Sequence, residues 1–179
     1  MLATDCLIDE GGRLAKLSSS TIEAMNGALP ASWSKANPVD IIGDADAARY
    51  AAATSALLAD DGVDALLVLN CPVAVASSTA AAEAVCEEVR KAREAGIRKP
   101  VFTTWLGQDA VAEARKLIDA RGLPVYPTPE KAVAAFMHQV RRVKAQDMLM
   151  QVPSVPAESD AHEPEAARKI VREALAQGR

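Results

Sequence analysis

Aromatic residues make up only 3% of this 179-residue chain, and histidine and cysteine are as scarce, with two and three copies. With half of the residues apolar and so few rings, the core must be built from Ala, Val, Leu and Ile, small enough for helices to lie close against a sheet. That favours α/β packing. Cys6, Cys71 and Cys86 are odd in number, widely spaced and free of any C-x-x-C pair, which argues against a disulfide framework and a zinc site. They read as small apolar fillers. Cys71 has one alternative reading, because a thiol between a strand end and a helix start can have a lowered pKa and act as a nucleophile. Only His138 and His162 are available for a histidine-based metal site, and His138, within AFMHQVRR, reads as a surface residue of a helix.

No apolar run reaches the roughly 18 residues of a membrane span, and the first residues lack the basic-then-apolar order of a secretory leader. A cytoplasmic protein is expected, with no membrane role. The net charge is −4 and the pI about 5.3. Basic residues are scattered except for Arg141, Arg142 and Lys144, so the electrostatic footprint of nucleic-acid binding is missing. Also absent are a G-x-S-x-G elbow, a GxxxxGK[ST] loop, a GxGxxG turn and an H-E-x-x-H helix.

What is present is an alternation of short apolar runs with helical segments. A short helix opens the chain and is stopped by Gly11 and Gly12, and residues 14–17 read as a strand. The serines at 18–20 cap a helix that ends at Gly27 and Pro30. PVDIIG (38–43) is a brief extended piece, and residues 44–62 form a long helix. VDALLVLN (63–70) is almost wholly apolar, the pattern of a central parallel strand buried on both faces. A helix over 79–95, the strand KPVFTTW, a helix over 108–120 and the strand LPVY follow. Thr128-Pro129-Glu130 then starts a helix that runs to about Met150: threonine caps, proline fits the first turn, and glutamate meets the positive helix end. A proline- and acid-rich stretch over 152–165 has linker composition, and a short amphipathic helix with Ile170, Val171 and Leu175 lies behind it.

Strands joined by helices predict an α/β fold, a three-layer parallel sheet whose ligands bind beyond the carboxyl ends of the strands. The places to look are Gly43-Asp44, Asn70-Cys71-Pro72, residues 103–107 and Pro127-Thr128. Asp40, Asp44 and Asp46 read as helix or loop caps, with Mg²⁺ ligation as the weaker alternative. Asn37-Pro38-Val39-Asp40 is either a rigid loop at a sheet edge or part of a phosphate- or partner-docking surface.

Taken in order, LATD (2–5), ANPVDIIGDAD (36–46), DGVDALLVLN (61–70), KPVFTTWLG (99–107), GLPVYPTPEKAVAAFMHQV (122–140) and QDMLMQVP (146–153) resemble the NDP-forming acyl-CoA synthetases. This family, typified by the ADP-forming acetyl-CoA synthetases, lies in the succinyl-CoA synthetase superfamily. The similarity implies a flavodoxin-like ligase domain over 1–152, and in 153–179 a linker and short helix leading toward an ATP-grasp domain. It implies the reaction of a carboxylic acid, CoA and ATP to acyl-CoA, ADP and phosphate, reversibly, through an acyl phosphate and a phosphohistidine. The family's histidine stands in a His-Thr-Gly-like motif that neither His138 nor His162 matches, so the chain alone is expected to be inactive and to bind no cofactor by itself. CoA, ATP or ADP and Mg²⁺ are implied for the complete enzyme. The implied partners are CoA-binding, ligase and ATP-grasp domains or subunits, in an oligomer.

In the family a strand and an Asn-Ala-Gly-Gly-like loop precede the first helix, and backbone N–H groups there can stabilise the phosphate on the histidine. Leu2, Ala3, Thr4 and Asp5 are then the first turn of a phosphate-facing helix, with Asn37, Asp40, Gly43 and Asp44 as the loop beside it. On this reading the domain lacks its first strand, and the chain is a fragment, a product of a misassigned start, or one piece of a split enzyme. A second expectation is a regulatory, ligand-sensing domain of a bacterial protein lysine acetyltransferase, and a third an inactive remnant.

Overall fold

The computed structural model describes residues 2–151 and 164–177. Two compact units divide the chain, residues 1–142 and 143–179. The first holds helices α1 (Leu2–Asp9), α2 (Ser19–Ala28), α3 (Ala47–Ala59), α4 (Ser78–Glu94) and α5 (Ala112–Ala120), strands β1 (Leu66–Asn70), β2 (Val101–Trp105) and β3 (Val125–Tyr126), and most of α6 (Pro129–Met150). The second holds the end of α6 and helix α7 (Pro164–Ala176), on which Ile170, Val171 and Leu175 are exposed.

The helix ends follow the local chemistry of the sequence. Ser18, Asp46 and Ser77 cap α2, α3 and α4, each side chain accepting an N–H three residues on, which satisfies one of the donors a helix start leaves unpaired. Thr128 accepts the Lys131 N–H at the start of α6; the Glu130 carboxyl is held below its usual pKa first by its own backbone N–H and then by the Thr128 hydroxyl. Gly11, at φ 79°, turns the chain at the end of α1. Gly12 then passes so close to Leu7 that a Cβ there would meet its Cδ1 at 2.2 Å.

All three strands are parallel, in the order β1-β2-β3, with Leu66 opposite Val101 and Asn70 opposite Trp105. Every residue of β2 is buried. Helices α3, α4 and α5 cover one face, where Val85, Ile118 and Trp105 are fully enclosed and Ala81 and Ala82 let α4 approach closely. Helices α1 and α6 lie on the other, where the Phe102 ring meets Phe136 edge-on at 5.9 Å and Arg141 of α6 pairs with Glu10. The result is the three-layer α/β arrangement expected.

Two expectations need correction. Residues 14–17 and the PVDIIG segment form no strand, because a strand requires a neighbour's ladder and none of the three strands pairs with either. β1, read as the middle of the sheet, lies at its edge: Leu69 is 41% exposed, and β2 is the strand buried on both faces. The linker composition falls largely on residues 152–163, which with His162 lie outside the described residues.

Candidate functional site

Parallel strands deliver their carboxyl ends to one rim, and there a chain of polar groups links five elements. Ser78 Oγ donates to Asn70 Oδ1 at 2.8 Å, and Asn70 Nδ2 donates to the Tyr50 hydroxyl at 2.9 Å. Trp105 Nε1 donates to the Ser78 carbonyl at 3.0 Å, and Arg115 Nε to the Trp105 carbonyl at 3.0 Å. Asn70 and Ser78 are buried, so each bond replaces water the groups have given up. Burial pushes the Tyr50 phenol up, against the opposing pull of its Asn70 hydrogen bond, and the hydroxyl stays a neutral donor and acceptor. Gly107, at φ 107°, closes the loop after β2 against Pro72 of the loop after β1. The network fixes the rim. It carries no nucleophile with a base beside it.

Beside β1 lies a cleft of about 570 Å³. Of the residues expected at a site, Ala3, Thr4 and Asn37 line it; Leu2 and Asp5 are exposed on α1 outside that lining. Asn37 Nδ2 donates to the Ala15 carbonyl at 3.0 Å, tying the loop to the unpaired segment after α1. Asp40 turns back to accept the Ile42 N–H at 2.8 Å, and Asp44 pairs with Arg49 at 2.5 Å on the surface. Gly43 is exposed, with open space where a side chain would stand. The loop acids are thus engaged as caps and ion-pair partners. Among the described residues no group of three or more His, Cys, Asp or Glu side chains is placed to hold a metal ion.

Cys86 is buried, which raises its thiol pKa and leaves it an inert filler; Cys71 is exposed and His138 lies on the outer side of α6. The sequence pointed to Asn70 and to the loop after β2 as places to look. It placed Tyr50 on or near the buried side of its helix without a role, and it did not single out Ser78 or Arg115, each one polar residue among several in its helix.

A family model described as "Ligase-CoA domain" matches residues 1–150. Subunit alpha of the ADP-forming acetate–CoA ligase I of Pyrococcus furiosus is 32% identical over 136 residues, 76% of this chain and 29% of that one. The ADP-forming acetate–CoA ligase I of Archaeoglobus fulgidus is 27% identical over 180 residues, 99% of this chain and 24% of that one. Among solved structures, the dinucleotide-forming acetyl-coenzyme A synthetase 1 of Ca. Korarchaeum cryptofilum, in its apo form, superposes with a TM-score of 0.78 at 33% identity, covering 86% of this chain and 33% of that one. The chain therefore spans about a third or less of the length of these relatives.

Proposed function

Because the chain belongs to the Ligase-CoA domain family, we propose that it is the flavodoxin-like module of an ADP-forming acyl-CoA synthetase that supports the reaction without supplying the nucleophile. The observation that carries this reading is the match over residues 1–150 to that family, together with relatives named as ADP-forming acetate–CoA ligases. The complete enzyme converts a carboxylic acid, CoA and ATP into acyl-CoA, ADP and phosphate, with a histidine elsewhere carrying the phosphoryl group.

The contribution of this module is electrostatic. The first turn of α1 has N–H groups that no helical carbonyl accepts, and a helix start favours a negative charge. Leu2, Ala3, Thr4 and Asp5 offer those groups to the phosphoryl oxygens, and the loop of Asn37, Asp40, Gly43 and Asp44 braces the adjoining surface. CoA, nucleotide and Mg²⁺ are assigned to the partner domains.

The test is an acetyl-CoA formation assay with ATP, CoA and acetate. The chain alone should give no turnover, and adding separately expressed CoA-binding, first ligase and ATP-grasp domains should give it. Turnover by the chain alone, or none in the full mixture when the other domains are shown to bind their ligands, would overturn the reading.

A further inference from the structure

The end of the sheet opposite the rim carries a second cavity, of about 480 Å³, between the last turns of α4 and α5. Its floor is apolar: Cys86, Val89 and Leu123 are all buried. Its walls hold four arginines and one acid, Glu94, in a chain whose net charge is −4. Arg90 and Arg93 come from α4, Arg98 from the loop toward β2, and Arg121 from the end of α5. Three separate segments thus bring cations to one place.

The four arginines are not alike. Arg90 is engaged within α4, by Glu87 at 2.6 Å and Glu94 at 2.5 Å. Arg98 donates to the Arg93 carbonyl at 2.5 Å, which closes the helix end but meets no negative charge. Among the described residues none of Arg93, Arg98 and Arg121 has an acid within ion-pair distance. Burial raises the Cys86 thiol pKa, and Arg121 and Arg93 pull against it, so both charges reach the same floor.

Cations at the carboxyl end of a helix ordinarily offset its dipole. Here they exceed it, since two helix ends supply roughly half a negative charge each and leave about two of the three positive charges unmet. A phosphate monoester, close to a dianion at neutral pH, matches that excess. Its three terminal oxygens also suit several planar guanidinium forks, whereas a lone carboxylate has only two. The floor adds a second demand. A cavity of this size lies within the roughly 300–1,000 Å³ of small-molecule sites, and its buried apolar side chains favour a ligand with a flat or apolar body beside the anion.

We infer that this cavity binds a phosphate monoester of about mononucleotide size, its phosphate held by Arg93, Arg98 and Arg121 and its body lying over Cys86, Val89 and Leu123. The inference uses no part of the acyl-CoA reaction, so a null result in the turnover assay leaves it standing.

The probe is adenosine 5′-monophosphate, titrated by calorimetry into the full 179-residue chain at neutral pH, with adenosine, inorganic phosphate and hexanoate as separate arms. The expected result is saturable one-to-one binding of the nucleotide with a Kd of about 1 mM or below, and binding at least about tenfold weaker for each of the other three. Arg93→Gln and Arg121→Gln should each weaken the nucleotide about tenfold or more, while Arg142→Gln, on α6 and outside the cavity, should leave it unchanged. If a variant fails to fold, protection of Arg93 and Arg121 from phenylglyoxal by the nucleotide, read on the native chain by peptide mass spectrometry, decides. No nucleotide binding, binding indifferent to both variants, or hexanoate or adenosine bound as tightly as the nucleotide would overturn the inference.

Discussion

On the α3–α5 side of the sheet Val85, Ala82 and Trp105 are fully enclosed, whereas on the opposite side no residue of α1 is buried and Leu2 and Ile8 keep more than half of their surface exposed. The two faces come from the same alanine-rich, ring-poor composition, so composition alone does not explain the contrast. What differs is what lies beneath the helices. Helices α4 and α5 lie against the paired strands, and α3 packs against α4. Helix α1 lies over the cleft beside β1, where the ladder stops, and has little to pack against. A helix gains most of its stability from such packing. The enclosed side therefore supports the fold, and the α1 side is where a further polypeptide would change the molecule most.

The strongest way to break this contrast is to hollow the closed side. Trp105→Ala removes a fully buried ring and the donor to the Ser78 carbonyl, and should cost about 3–5 kcal/mol in urea unfolding. On the other edge, Leu69→Ala should cost less than about 1 kcal/mol, since much of that side chain is already in water. Comparable losses for the two would mean that the edge of β1 is as well packed as the core.

Much of the secondary structure was legible in the sequence because its signals are local. Ser18, Thr128, Gly11 and Gly12 announce helix ends within a few residues, and the apolar run ending at Asn70 marks a strand without reference to anything distant. The edge position of β1 was not legible, since an apolar run reports burial by side chains and says nothing of which backbone edge has a partner. The same limit explains residues 14–17 and 38–43: each has the composition of a strand, yet a strand is a relation between two segments. The Tyr50, Asn70, Ser78 and Trp105 network joins residues up to 55 positions apart, from Tyr50 to Trp105 (105 − 50), and no local pattern connects them. Of the eight residues expected at a site, three meet on the cleft lining, since the loop acids find caps and an arginine nearer at hand.

A second test concerns the fastening of α2 to the end of α3. The Asp60 carboxylate accepts the Ser18 N–H at 2.8 Å and the Gly62 N–H at 2.9 Å, and its own carbonyl accepts from Lys99. The Ser18 N–H above all, against the opposing effect of burial, lowers its pKa to about 2. A carboxyl depressed in the folded state stabilises it fully above its unfolded pKa near 4, and that contribution is lost as pH falls from about 4 through 2. Asp60→Asn should therefore cost about 2 kcal/mol at neutral pH and flatten the acid limb of the stability curve. An unchanged acid limb would remove Asp60 from this role.

The smallest effect separates the two faces at adjacent residues of β2. Thr103 Oγ1 donates to the Pro124 carbonyl at 2.8 Å, while Thr104 Oγ1 on the other face is buried with no partner among the described residues. Thr103→Val should lose about 1 kcal/mol in thermal or urea unfolding, and Thr104→Val should be neutral or slightly stabilising. The reverse order would show that Thr104 holds a partner essential to the fold.

The most direct test of the open edge is residue-resolved amide hydrogen exchange on the free chain. The Leu66 and Val68 amides, turned toward β2, should be protected with those of Phe102 and Thr104, while Leu67 and Leu69 should exchange about a hundredfold faster or more. Equal protection along all of β1 would contradict the account, because it would mean that the strand already has a neighbour on both sides.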